Sequence, residues 1–266
     1  MKWIRGILTV GTFAVLYYYE NKRPLRKQVE PKEINTARNF AIASLAGVTS
    51  ALLENPVAEK LTKFTEQKRF GLLKIFRLPK FVEDFLAVLL LDYTLYVWHV
   101  LTHKSDFLWN FHKIHHADLD LTASTAIRFH FGEIAISVIW RAGQILFIGV
   151  SPEAFKIWQT GLLMSIFFHH SNVEIPQNIE KHLQKIIATP RLPGIHHSEV
   201  KAAVASNWSS GLSVWDFLHG TFRDDIPQSK IRIGIREFED EQDISLKNML
   251  VEPMLIDING NKKFTR

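Results

Sequence analysis

Twelve histidines occur in 266 residues, and most fall into four short groups. His99 and His103 lie four apart, so on a helix both imidazoles share one face about a turn apart. His112, His115 and His116 begin nine residues later and repeat that i,i+3 and i,i+4 spacing. His169-His170 and His196-His197 form two adjacent pairs. Neutral imidazole suits iron, zinc and copper, and oxygen chemistry favours iron among these. A hydrogen-bonded core histidine needs no partner at helical spacing, so the first two groups read as a metal site. His182, beside Glu180 and Lys181, reads as a surface residue, and His219 as structural.

Other chemistries lose their support. The chain has no cysteine, which excludes disulfide scaffolds, thiolate zinc, iron–sulfur clusters and cysteine nucleophiles. His-Glu-x-x-His, Gly-x-Ser-x-Gly, the phosphate-binding loop and Gly-x-Gly-x-x-Gly are all absent. Metalloprotease, serine hydrolase, kinase and Rossmann readings therefore fail.

The elements that must position the histidines are apolar. Hydrophobic residues make up 47% of the chain and charged ones 22%, too apolar a balance for disorder. The net charge of +5 raises a nucleic-acid reading. The basic residues flank apolar segments instead of forming one stripe, as Lys22, Arg23, Arg26 and Lys27 do after Gly6–Tyr19, so no nucleic-acid partner is expected and a membrane is. Gly6–Tyr19 carries no cleavage site and reads as an uncleaved anchor. Four more stretches follow: Asn39–Leu53, Phe81–His103, Ile134–Val150 and Ile157–Val173. Asp92 interrupts the second of these and Arg141 the third. The segment from Phe70 to Arg77 reads as an interfacial helix. Ile231–Ile235 is the best strand candidate, Glu237–Glu241 is a charged stretch, and Asn259–Arg266 is a polar tail. The expected fold is all-α and embedded in a membrane. It divides into 1–80, an N-terminal anchor with interfacial segments; 81–225, the histidine-rich segment; and 226–266, a C-terminal tail.

Topology supports one site. The first two groups follow the end of Phe81–His103, and His169-His170 closes the last stretch. One out-and-back excursion through the turn at Ser151-Pro152-Glu153 separates them, which returns the chain to the same side. Lys104, Lys113, Arg128, Lys181, Lys185 and Arg191 on that side place it on the cytoplasmic face by charge bias. The basic residues between Lys60 and Lys80 conflict with this, since they fall on the opposite side if Phe81–His103 spans.

With these residues in view, the chain resembles the sterol desaturase and fatty acid hydroxylase superfamily of membrane di-iron oxygenases, bacterial-type members above all. The matching text runs through Asp92, His99, His103, Trp109-Asn110-Phe111-His112-Lys113-Ile114-His115-His116, Arg128-Phe129-His130 and Glu133. It continues through Gly149-Val150-Ser151-Pro152, His169-His170-Ser171-Asn172, Thr189-Pro190, His196-His197-Ser198, Asn207-Trp208 and Trp215-Asp216. The resemblance implies a polytopic helical membrane domain under a cytosolic helical cap, with 81–225 as the histidine-box catalytic domain and 226–266 as a cytosolic tail. It implies two irons held by His99, His103, His112, His115, His116, His170, His196 and His197, with His169 a further candidate. It implies O2-dependent hydroxylation or desaturation of a fatty acyl or sterol-like lipid and electrons from a separate donor protein, with a bacterial inner membrane favoured over the endoplasmic reticulum as the setting. Arg128, His130 and Glu133 would form a network behind the ligands or in the cap, and Asp92 would bond the His99 imidazole or a basic residue.

Two departures matter. The family's third box is His-x-x-His-His, and Pro193 stands at its first position; Glu199 is a candidate to fill the gap. Ala203-Val204-Ala205 replaces polar residues of close relatives. The leading reading is an iron-dependent lipid oxidoreductase. Its alternative is a degenerate, non-catalytic homologue that binds lipid or metal. A zinc-dependent hydrolase lacks an evident carboxylate base and ranks last.

Overall fold

The computed structural model describes residues 2–235, 238 and 244–254. The chain forms α1 (Lys2–Lys22), α2 (Lys32–Thr49), a π-helical turn Ser50–Glu54, α3 (Asn55–Lys68), α4 (Leu72–Ile75) and α5 (Lys80–Lys104). Then come α6 (Asp106–His116), α7 (Phe131–Ile148), α8 (Pro152–His170), α9 (Gln177–Leu183), α10 (Arg191–His196), α11 (Lys201–Val204), α12 (Val214–His219) and α13 (Leu246–Val251). Among the described residues there is no strand. Ile231–Ile235, expected as one, forms a single bridge from Ile233 to Ser198. The Gly234 amide also donates to the His197 carbonyl at 3.0 Å, so this segment braces the last histidine pair. Of the charged stretch only Phe238 falls within the described residues, and the polar tail lies outside them.

Three helical runs are long and apolar enough to cross a membrane: Lys32–Ile75, Lys80–Lys104 and Phe131–Ile148. Their outward side chains are apolar; Phe81, Ile139 and Phe147 are all more than 70% exposed. The first and last of the five expected stretches form long helices, α1 and α8, that do not reach that level. Arg5 and the tyrosines dilute α1, while Lys156, Gln159 and the terminal histidines dilute α8. The expected interfacial helix shrinks to the single turn of α4. Arg69 is left-handed, Gly71 has φ 110°, and Pro79 precedes α5.

Local signals fix the hairpin between α7 and α8. Gly149 closes α7 in the left-handed conformation, Ser151 accepts from the Ala154 amide at 3.0 Å, and Pro152 opens α8, the order that helix ends favour. A Cβ on Gly71 would come 2.4 Å from the Gly149 backbone, so glycine alone permits this approach. The core at this end joins Leu73, Leu91, Ile145, Ile148, Val150 and Phe155. The basic residues from Lys68 to Lys80 thus lie beside the Ser151 turn, and the histidines lie at the other end. Cationic residues therefore flank both ends of the bundle. A second core, with Ile42, Ile114, Ala117, Ile244 and Met249, seals the histidine end beneath the C-terminal segment.

Candidate metal centre

Two helices, a corner and two hairpins bring the histidines together. α5 carries His99 and His103 and ends at Ser105, whose extended backbone turns the chain and whose hydroxyl accepts from the Leu108 amide at 3.4 Å to start α6. The corner folds His112, His115 and His116 back over α5. α8 returns from the far end to deliver His169 and His170, and α10 delivers His196 and His197 from the cap.

The imidazoles form two adjoining groups. His99, His103, His116 and His196 compose one, and His115, His170 and His197 the other; in each, the candidate ligand atoms lie within 4.8 Å of one another. His116 and His197 stack across the boundary with ring centres 4.0 Å apart. His112 belongs to neither group, but its ring lies 4.9 Å from His103 and 5.4 Å from His115. Its Nδ1 contacts Glu133 Oε1 at 2.9 Å, and its buried Nε2 has no partner. His169 lies beside His170 with ring centres 4.4 Å apart, outside both groups.

Proton accounting shows that the first group suits a cation. His99 Nδ1 faces the Trp208 carbonyl at 2.7 Å, and His196 Nδ1 faces the Ser206 carbonyl at 2.9 Å. A carbonyl only accepts, so each Nδ1 carries the proton and each neutral ring presents a lone pair at Nε2. Those two Nε2 atoms face one another at 3.1 Å. Two lone pairs at that separation repel unless a cation lies between them, and 3.1 Å suits neighbouring nitrogens on an ion with bonds of about 2.1 Å. Burial holds His196 down to about 3 and the His197 ring well below its ordinary value. Burial, reinforced by neighbouring imidazoles, likewise depresses His115 and His116. These rings are neutral and ready to ligate at physiological pH. Buried Nε2 atoms of His103 and His116 also lack any protein partner.

The sequence assigned no role to the loop after α11, yet it orients this group. Asp216 accepts from the Trp208 amide at 2.8 Å, the Ser209 amide at 3.1 Å and Thr221 Oγ1 at 2.7 Å. Asn207 is left-handed and its side chain spans to the Leu192 and Arg223 backbones. Together they aim the Ser206 and Trp208 carbonyls at the imidazoles. The Asn-Trp and Trp-Asp pairs were the visible signal.

Three expectations change. Asp92 does not touch His99. Its carboxylate accepts from the Leu212 amide at 3.0 Å and Trp215 Nε1 at 2.8 Å, which pins the same loop to α5. Glu199 turns away from the gap and pairs with Arg232 at 3.1 Å. His130 caps α7 by accepting from the Gly132 amide and meets the Leu250 carbonyl. The proposed trio thus separates, with Glu133 on His112 and the fully buried Arg128 on the Ile114 carbonyl and Asn39 Oδ1 at 2.9 and 2.7 Å. His182 and His219 are exposed. Ser171-Asn172 closes the site from behind, since Asn172 accepts from the Arg26 amide at 2.8 Å and donates to Glu20.

Pro193 lies in the first turn of α10, buried and beside the cavity, with its carbonyl accepting from the His197 amide at 2.8 Å. The backbone therefore keeps its helical shape while the side chain offers no ligand. Pro193→His is expected to raise metal content per chain with little change in melting temperature. Unchanged metal content and turnover would show that no further imidazole is needed.

The groups open onto a cavity of about 610 Å³ between α2, α5, α7 and α8, walled by Leu95, Trp98, Ile134, Leu162, Leu163 and Ile166. Such a volume and lining suit an apolar chain.

The profile of a family described as fatty acid hydroxylase matches residues 85–221. The chain is 27% identical over 242 residues to the ornithine lipid hydroxylase OlsE of Rhizobium tropici, covering 86% of this chain and 70% of that one. It is 31% identical over 136 residues to human alkylglycerol monooxygenase and 28% identical over 138 residues to the Xenopus tropicalis protein. These alignments cover 51% and 52% of this chain but only 29% and 30% of those proteins. No solved structure matches.

Proposed function

The chain belongs to the fatty acid hydroxylase family, and from that premise we propose that it hydroxylates a membrane lipid at two irons held by its histidine groups. The observation that carries this is the pair of opposed Nε2 lone pairs on His99 and His196. His103 and His116 would complete that group, His115, His170 and His197 would hold the second ion, and His112 would serve between them. Hydroxylation is favoured over desaturation because the named relatives are a hydroxylase and monooxygenases. Bound iron would supply reduction of O2 and attack on a C–H bond, one oxygen entering the lipid and the other leaving as water, with two electrons from a donor protein and two protons.

The protein's own part is positional. Carbonyls of Trp208 and Ser206 set the tautomers of His99 and His196, and Glu133 orients His112, the arrangement that raises ligand basicity. Trp208 packs 4.6 Å from His103 and Phe129 stacks 4.6 Å from His115, excluding water. The apolar cavity leads a chain to these rings.

Membranes containing the protein, supplied with heavy-isotope O2 and reductant, are expected to yield lipids that gain one heavy oxygen. Loss of two hydrogens without oxygen, or no change, would overturn hydroxylation. We further propose that the histidine end faces the cytoplasm, so a reporter fused after Arg266 is expected to read as cytoplasmic. An external signal would reverse that orientation.

A further inference from the structure

The histidines occupy one end of the cavity, and the other end holds a polar cluster that plays no part in the reaction above. Arg141 and Glu54 line it with Ser50, Gln159 and Thr160. Both charged residues belong to runs apolar enough to span a membrane, where ionisable groups are costly and mark functional sites. The guanidinium lies over the Trp158 ring at 4.2 Å. Its Nε donates to Glu54 Oε1 at 3.2 Å and its Nη1 to Gln144 Oε1 at 2.5 Å. Ser50 donates to the other Glu54 oxygen at 3.0 Å. Gln144 is itself held, through its amide nitrogen, by Thr94.

Two donors are left over. Among the described residues Arg141 Nη2 has no acceptor, and Trp158 Nε1 is buried without one. The cluster is therefore donor-rich yet electrically neutral. It is also built deliberately into the backbone, because Glu54 ends the π-helical turn Ser50–Glu54, a distortion that recurs at functional sites.

We propose that this cluster recognises an uncharged oxygen group of the substrate lipid, an ester or amide carbonyl or a hydroxyl, and so selects which carbon reaches the histidines. Arg141 lies eight residues beyond Glu133 on α7, roughly 12 Å of helical rise from the residue that orients His112. A carboxylate is disfavoured because Glu54 already neutralises Arg141 and a second anion would be desolvated there. A plain alkane leaves both donors unpaired. The inference rests on the lipid reading above and names the chemical class of that lipid.

Binding tests it apart from turnover. The protein as purified, kept free of oxygen and reductant so that no turnover occurs, is titrated in detergent with dibromostearic acid, its methyl ester and dibromooctadecane, and quenching of Trp98 and Trp158 reports occupancy of the cavity. The ester is expected to bind about tenfold more tightly than either of the others. Arg141→Met with Glu54→Leu removes both charges together, leaves no orphan ion, and is expected to erase that preference while alkane binding persists. Equal affinities in the native protein, showing that the donors merely hold water, would overturn the proposal. So would an ester preference that survives in the double variant. Heavy oxygen entering lipid without an ester preference would sink this inference alone, whereas an ester preference without oxygen transfer would sink the hydroxylation reading alone.

Discussion

His116→Ala and His196→Ala are each expected to empty the first histidine group and abolish turnover while the protein still inserts into membranes. Each ring is almost fully buried, and each belongs to the four-histidine group. Removing one deletes a ligand that no neighbouring carboxylate can replace, since Glu199 pairs with Arg232. His112→Ala is expected to lower metal content as well, because its free Nε2 lies between the groups. Glu133→Gln gives the graded comparison. It keeps the size of the side chain and weakens only the orientation of His112, so metal affinity is expected to fall about 10–100-fold. Elemental analysis of metal per chain, alongside circular dichroism, reads all four variants. Full metal content in His116→Ala and His196→Ala would sink the assignment of the first group.

Arg128→Met is expected to destabilise the fold by about 2–6 kcal/mol, from two buried acceptors left unpaired, the largest stability effect of any single change proposed here. Burial pushes this guanidinium down to about 10, so it is still charged at neutral pH. It joins α2 to the end of α6. Its Nε serves the Ile114 carbonyl, and its Nη1 serves Asn39, which in turn donates to Asp118 at 2.8 Å. Asp118 also accepts from Asn35 at 2.6 Å and Thr125 at 2.7 Å. Methionine matches the apolar stem but leaves the Ile114 carbonyl and the Asn39 amide oxygen without their donor, while Asp118 keeps Arg38 at 3.4 Å; each unpaired buried group costs about 1–3 kcal/mol. Thermal unfolding in detergent measures the loss. A melting temperature within a degree of the native protein's would show that the polar layer is dispensable.

The histidine spacing, the apolar stretches and the hairpin signals were legible without a structure because each is local. Imidazoles four apart share a helix face wherever that helix lies. Gly149 followed by Ser151-Pro152 ends one helix and starts another by short-range backbone chemistry alone. Crossing parity then required the first two groups and His169-His170 to meet at one end, and they do. The resemblance was legible for the same reason, since its boxes are linear text.

What no spacing rule revealed was which partner each polar group takes across the chain. Asp92 sits two helical turns before His99 on the same face, which suggested a direct bond, yet the tight approach of Gly211 brings the loop amide and Trp215 to its carboxylate first. Arg128, His130 and Glu133 are neighbours in sequence and diverge in space, because His130 ends an extended segment and caps α7 while the other two face different helices. Glu54 and Arg141 are 87 residues apart, and only the packing of α2, its π-helical turn and α7 brings them into one cavity. By itself the sequence determined the all-helical membrane scaffold and the identity of the clustered histidines, since periodicity and spacing encode them locally. Tertiary structure alone decided how the imidazoles divide into two groups, which protons they carry and which donors are left spare, because those depend on contacts between residues that the chain separates.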